Sequence, residues 1–179
     1  MLLCHTYNGS CYCMCISAIK QWKRILTPKT CYDTMKLDMM VERSNPIHYK
    51  IVRFSKPKFC LHAKELYMFH CIKAELFDSK NWRWKLLDEV KLLREESLHR
   101  ITKVSMNSSL HWLTWMRNLF AFDVKKKSYC LFPLPPPVFE SNNSKDIELV
   151  EYKKNVIMTC IDKKNNFMEV WIMEDYNGK

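Results

Sequence analysis

Cys11-x-Cys13-x-Cys15 places three thiols within five residues, with Cys4 and His5 just upstream. On a strand, the two-residue period sets all three on one face. Thiols and imidazoles at close spacing are the material of zinc sites, but structural sites draw paired ligands from two separate loops. The second pair is missing here, since Cys31 stands alone. Cys60-x-His62 with His70-Cys71 gathers four ligands in twelve residues, yet neither half has a finger spacing. Free cysteine packs as a small hydrophobe, so buried strand thiols are expected for the first cluster, and no metal is expected at either.

Other chemistries are as poorly served. With Gly9 and Gly178 as the only glycines, no phosphate-cradling loop or nucleophile elbow fits, and no two-histidine zinc helix appears. Glu95-Glu96 and Glu174-Asp175 are adjacent carboxylates that read as solvated surface. Trp82-Arg83-Trp84 and the segment from Trp112 to Arg117 mix aromatic and basic side chains, as single-strand nucleic-acid platforms do. A sheet core with cation–π packing accounts for them better. No catalytic, cofactor-binding or metal residue is assigned, no cofactor is implied, and the chain is not expected to be an enzyme.

The elements that would position any site announce themselves as a repeat. In Leu76-Phe77-Asp78-Ser79-Lys80-Asn81-Trp82-Arg83-Trp84 an aspartate precedes an aromatic by six positions, and Asp123 precedes Tyr129 by the same offset. Ile16 to Trp22 keeps the spacing without the aspartate. Asp78 and Asp123 lie 45 positions apart, and Asp162 follows 39 later. These intervals approach the roughly 40–50 residues of one four-stranded propeller blade. The aspartate is expected in the turn between the two outer strands of each blade, with the aromatic packing between blades.

The 179 residues suffice for one domain with a core, and 47% apolar content argues against disorder. Scarce glycine leaves tight turns to Asn, Asp, Ser and Lys, at some expected cost in stability. The net charge of +10 suits anionic partners in principle. However, Lys125 to Lys127, Lys153-Lys154 and Lys163-Lys164 fall in expected turns, where lysine keeps edges apart. No segment reaches the roughly 20 apolar residues of a membrane span, and the amino terminus does not read as a secretory signal. Nine cysteines without an export signal read as reduced thiols in the cytoplasm or nucleus.

Alternation and turn residues predict strands within 11–26, 47–54, 66–77, 110–122, 129–132, 147–161 and 167–173. Residues 1–11 and 27–46 are expected to be irregular, and 140–146 a polar loop. Leucine-rich propensity raises a short helix near 86–98, against the β pattern around it. The proline run from Pro133 to Pro137 must be extended. Asn177-Gly178 is a hairpin signal with no partner strand after it.

Five segments in order then resemble one family. Ser17 to Ile25 resembles its early N-P-T-K-Q-W segment, and His48 to Arg53 its D-Y-K-V-V-R strand. Ser109-Leu110-His111-Trp112-Leu113 resembles G-x-L-H-W-L without the glycine. Phe120-Ala121-Phe122-Asp123 and Leu131 to Pro135 resemble I-x-A-F-D-L followed by F-x-x-I-P-L-P, and Val170 to Tyr176 resembles V-W-V-M-E-D-Y. The family is the F-box-associated domain of plant F-box proteins, related to kelch repeats. The resemblance implies an all-β, antiparallel, kelch-like incomplete propeller of three to four blade-like units over residues 12–179. It also implies a protein-interaction module that recruits substrates to a cullin-type (SCF) ubiquitin ligase. No F-box is recognised and the last blade reads as cut short, so the Skp adaptor and cullin are expected partners only through a longer form carrying an F-box. The recognised substrate protein is not identified, and no membrane or nucleic-acid partner is expected. Alternatives are a basic nucleic-acid-binding protein and a degenerate member with no retained ligase role.

Overall fold

The computed structural model describes residues 2–5, 11–16, 20–28, 32–56, 69–93, 96, 98–134 and 145–173. All regular structure among them is β, and no helix is long and apolar enough to cross a membrane. The chain divides into two compact units, Met1–Arg94 and Glu95–Lys179.

The first unit holds two antiparallel meanders. Sheet A runs β1 (Leu2–His5), β2 (Tyr12–Ile16) and β3 (Gln21–Ile25). Sheet B runs β4 (Asp33–Ser44), β5 (Ile47–Lys56), β6 (Phe69–Asp78) and β7 (Arg83–Leu93). Tyr12, Met14 and Ile25 of sheet A pack with Tyr49, Ile51 and Phe77 of sheet B, and Trp82 and Trp84 join them. Beside this apolar seam the Arg53 guanidinium is buried, donating to Glu75 Oε2 at 2.7 Å, to Thr34 Oγ1 at 2.9 Å and to the Tyr32 carbonyl. Ser55 Oγ also reaches that carboxylate at 3.3 Å. The network joins β4, β5 and β6 and leaves neither buried charge uncompensated.

The second unit repeats the plan. Sheet C runs β8 (Leu98–Met106), β9 (Ser109–Thr114), β10 (Asn118–Asp123) and β11 (Ser128–Pro133); sheet D runs β12 (Lys145–Tyr152), β13 (Asn155–Asp162) and β14 (Phe167–Met173). Val104, Met106, Leu113 and Leu119 of sheet C pack with Leu149, Val156 and Met158 of sheet D. The opposite face of sheet C is aromatic, with Trp112 near Phe120 at 5.9 Å and Phe120 stacked on Tyr129 at 5.7 Å.

Four hairpins share one register. Ile16↔Gln21, Asp78↔Arg83, Asp123↔Ser128 and Asp162↔Phe167 each close a loop of four residues. The six-residue offset seen in the sequence is therefore a pairing rule, because it places the aromatic beside the residue before the aspartate, as in Phe77↔Trp84 and Phe122↔Tyr129. Each aspartate caps its own turn, accepting amide N–H groups from Lys80 at 2.8 Å, from Lys125 and Lys126 at 2.8 Å, and from Lys164 and Asn165 at 2.9 and 3.0 Å. The fourth loop residue is left-handed in every copy: Lys20 (φ 50°), Trp82 (53°), Lys127 (59°) and Asn166 (53°).

The remaining left-handed residues also sit in turns. Asn107-Ser108 and Lys153-Lys154 have positive φ at both positions, the I′ geometry that matches strand twist in two-residue hairpins. Arg117, φ 56°, ends the three-residue β9–β10 loop. A left-handed non-glycine residue costs about 1–2 kcal/mol, and this chain bears that cost in seven hairpins.

Several sequence expectations need correction. The stretch near 86–98 holds no helix among its described residues: β7 runs to Leu93 and β8 starts at Leu98. Pairing with β6 overrides helix propensity, since the alternation Val90, Leu92 buries both side chains and sets Val90 opposite Ile72. The supposed irregular connection at 27–46 contains β4, whose alternation is obscured by charges and by two register shifts. Residues 1–11 are not uniformly irregular, because β1 pairs with β2 from Leu2↔Cys15 to His5↔Tyr12. The polar loop at 140–146 gives way to β12 at Lys145. The aromatic of the repeat has no uniform role: Trp84 packs against Tyr12 of the neighbouring sheet at 5.8 Å, Tyr129 stacks within its own sheet, and Trp22 is exposed. Asn177-Gly178 lies outside the described residues, as do Pro135 to Pro137.

Two outcomes follow for urea unfolding. Lys127→Gly raises stability by about 0.5–1 kcal/mol, as relief of the left-handed cost exceeds the added unfolded-state entropy, while Asp123→Ala lowers it by about 1 kcal/mol. Glu75→Ala strands the buried Arg53 charge and costs about 3–5 kcal/mol, most of which returns in an Arg53→Met/Glu75→Leu double variant. A neutral Glu75→Ala would contradict this account.

Candidate functional site

The β9–β10 hairpin offers a braced base and an exposed apolar tip. At its base, Arg117 N–H donates to the Thr114 carbonyl at 3.1 Å and Asn118 N–H to Thr114 Oγ1 at 3.0 Å. The Asn118 amide donates in turn to Glu96, which is only 2% exposed. Trp115, 64% exposed, and Met116 project from this base. A large rigid aromatic held by a fixed turn contacts a partner with little loss of conformational freedom. Sequence reading put Trp115 in a strand and Glu96 on a solvated surface, and the structure corrects both. Trp-Met-Arg ahead of a turn asparagine was the available signal.

A second cluster sits where sheet B turns. His48 Nδ1 lies 3.1 Å from Glu42 Oε2 and its Nε2 lies 2.8 Å from Asp78 Oδ1, while Lys50 Nζ reaches Glu42 Oε1 at 2.6 Å. Carboxylates only accept, so both contacts are donations when the ring carries two protons. Burial pushes the Asp78 carboxyl up, but hydrogen bonds from His48 and the Lys80 amide, with the His48 and Lys50 charges, outweigh it and hold the group below its ordinary 3.8. Its contribution to stability is present above the ordinary carboxylate range and is lost as pH falls below it. Ser79 exchanges hydrogen bonds with Tyr49, N–H to carbonyl at 3.1 Å and amide to Oγ at 2.9 Å. This cluster fastens the β6–β7 turn to β5.

The thiol candidates separate. Cys11 and Cys13 share one face of sheet A with their sulfurs 3.7 Å apart, and Cys4 pairs across the strands with Cys13. The hydrogen bond from Cys11, aided by burial, raises the Cys13 thiol, which opposes thiolate formation. Cys15 is buried and Cys11 and Cys13 partly so. Among the described residues no group of three ligands is placed to hold a metal ion. Cys60, His62, Glu95, Glu174 and Asp175 lie outside the described residues, as do the side chains of His5, His70 and Cys71. Trp112 is in the core and Lys23 Nζ sits 3.8 Å from the centre of the Trp82 ring, packing and cation–π contact of the kind expected, whereas Trp115 of the same segment is exposed.

The architecture thus consists of antiparallel hairpin sheets on one repeated turn, with polar clusters that brace the strands. A family model of the F-box associated beta propeller domain matches residues 1–179. The chain belongs to that family. No curated protein matches it.

In this F-box associated domain His111 is a strongly perturbed titratable side chain, on a strand buried on both faces. Its Nδ1–H donates to the Val104 carbonyl at 3.2 Å. Burial lowers its pKa from 6.5 to about 4, partly countered by that hydrogen bond. Shifts of this kind occur at functional sites, but His111 is fully buried, so its role is to hold β8 on β9. The unfolded chain binds its proton first on acidification, so stability falls between pH 6.5 and about 4 and this contribution then levels off. Wild type loses about 2 kcal/mol from this group between about pH 6.5 and 5, and His111→Gln removes most of that slope. Denaturant titrations at both pH values measure it, and an equal slope in the variant would contradict the assignment.

Proposed function

We propose that this chain is a non-catalytic protein-recognition module, the substrate-binding part of an F-box subunit in a cullin-type ubiquitin ligase, acting in the cytoplasm or nucleus of a plant cell. Family membership over all 179 residues carries the reading. The set of antiparallel hairpin sheets supports it, since such scaffolds present loops for binding while the strands stay fixed. The braced Trp115–Met116 tip supplies a contact of the kind that dominates protein interfaces. Ubiquitin transfer belongs to other subunits, and adaptor docking to an F-box joined to this module in a longer form.

Affinity capture from the source tissue with wild-type and Trp115→Ala chains tests this. A protein retained by wild type should be depleted about tenfold or more by Trp115→Ala, and it should become ubiquitinated when the module carries an F-box in a reconstituted ligase. The 179 residues alone should not retain the Skp adaptor. No specifically retained protein, or a retained protein never ubiquitinated in the reconstituted ligase, would overturn the reading.

A further inference from the structure

Cys11, Cys13 and Cys15 alternate with Tyr12 and Met14, so the thiols lie on the face of sheet A opposite its seam with sheet B. Cys15 is buried, whereas Cys11 and Cys13 are half-buried with their sulfurs 3.7 Å apart. A disulfide needs the sulfurs at about 2.05 Å and the two Cα atoms about 4.4–6.8 Å apart. Same-face neighbours on an extended strand stand about 6.4–6.8 Å apart, at the upper end of that range. The pair can therefore close, and closing draws the strand in at the residue between them.

That residue is Tyr12. It is fully buried in the seam, with its ring 5.8 Å from that of Trp84 of sheet B. Its hydroxyl meets Thr34 Oγ1 at 3.1 Å, and the same oxygen accepts from the buried Arg53 at 2.9 Å. On one face, then, two thiols flank the side chain that on the other face ties sheet A to the Arg53–Glu75 network.

We propose that Cys11 and Cys13 form a reversible disulfide by exchange with oxidised glutathione, and that the bond loosens Tyr12 from the seam. The Cys11 thiolate attacks one sulfur of glutathione disulfide and expels the other half as a thiolate, leaving a mixed disulfide. Cys13 then gives up its proton and attacks the Cys11 sulfur, releasing the second glutathione. Two protein thiols are oxidised, one glutathione disulfide is reduced to two glutathiones, and the two thiol protons end on those products. Cys11 acts first, because its hydrogen bond with Cys13 holds the Cys13 thiol in the protonated form. Proximity then drives the second step. Arg24, exposed and opposite Cys13 on the same face, offers a cation to the glutathione carboxylates. In a reducing compartment such a bond is transient, and a bridge that bends its strand is readily reduced again.

Treatment of the native full chain with oxidised glutathione tests this, followed by peptide mapping and by amide hydrogen exchange. Cys11 and Cys13 should be recovered linked to each other. Exchange at Tyr12 and at its cross-strand partner Ile25 should quicken by about tenfold or more, and return to the starting rate after dithiothreitol. Cys13→Ser should keep glutathione on Cys11 and show none of that quickening, which separates the bridge from the adduct. Cys11 and Cys13 left as free thiols, glutathione adducts in wild type without a bridge, or a Cys4–Cys13 link in its place would each overturn the proposal. So would a Cys11–Cys13 bridge that leaves exchange at Tyr12 unchanged.

Discussion

A meander of antiparallel strands exists only if the chain can reverse direction tightly, and the tight turns that best match right-handed twist use residues with positive φ. This sequence must meet that requirement without glycine in any of the turns described. Among the described residues nine left-handed ones, four of them lysines, accept the steric cost. What offsets it differs from turn to turn. Trp82 gains edge-on contact with Phe77 at 5.1 Å and a cation from Lys23. Lys127 gains a backbone hydrogen bond to Asp123 at 2.8 Å, in a turn whose aspartate also holds two amides. Register, and with it the face on which every side chain falls, depends on those local compensations.

The aspartate of the repeat also links a turn to its sheet. The residue after it donates back to the neighbouring strand or turn in two sheets: Ser79 to the Tyr49 carbonyl at 3.1 Å and Val124 to the Ser108 carbonyl at 3.0 Å. In sheet B the link is extended, because Asp78 accepts from His48 as well as from its own turn. One carboxylate thereby couples two hairpins. Asp123 and Asp162 each hold two backbone amides of their own turns on Oδ1, and Asp162 Oδ2 also accepts from the Asn165 side-chain amide at 3.0 Å.

The repeat and most strands were legible because both are written in short-range terms. An Asp at a fixed offset from a pairing position needs only the turn's own geometry, and period-two alternation needs only one buried face. β4 and β7 were not legible for a physical reason. Their bulges break the alternation, their charges are neutralised across strands by pairs such as Lys73–Glu89 at 2.9 Å, and Leu37, Leu86, Leu87 and Leu93 sit partly or largely exposed. Partner strands confer the β state on such segments, and a partner is invisible in a local window. The Trp115 tip and the buried Glu96 were hidden similarly, since only the fold shows that Asn118 turns back to that carboxylate. The glycine missing from the G-x-L-H-W-L resemblance falls on Ser108, whose φ of 66° shows what the pattern required there.

That substitution also changes how the chain's basicity should be read. Lys20, Lys127, Lys153 and Lys154 stand at left-handed turn positions, Lys125 and Lys126 share the turn of Lys127, and Lys163 and Lys164 share that of the left-handed Asn166. All eight are exposed at hairpin tips. Much of the +10 therefore comes from turn positions, where a long solvated side chain is tolerated and keeps sheets from joining. A charge distributed over turn tips differs from a basic groove lined by stacking aromatics, and here Trp112, Phe120 and Phe122 are turned into the core. The net charge alone carries no argument for a polyanionic partner.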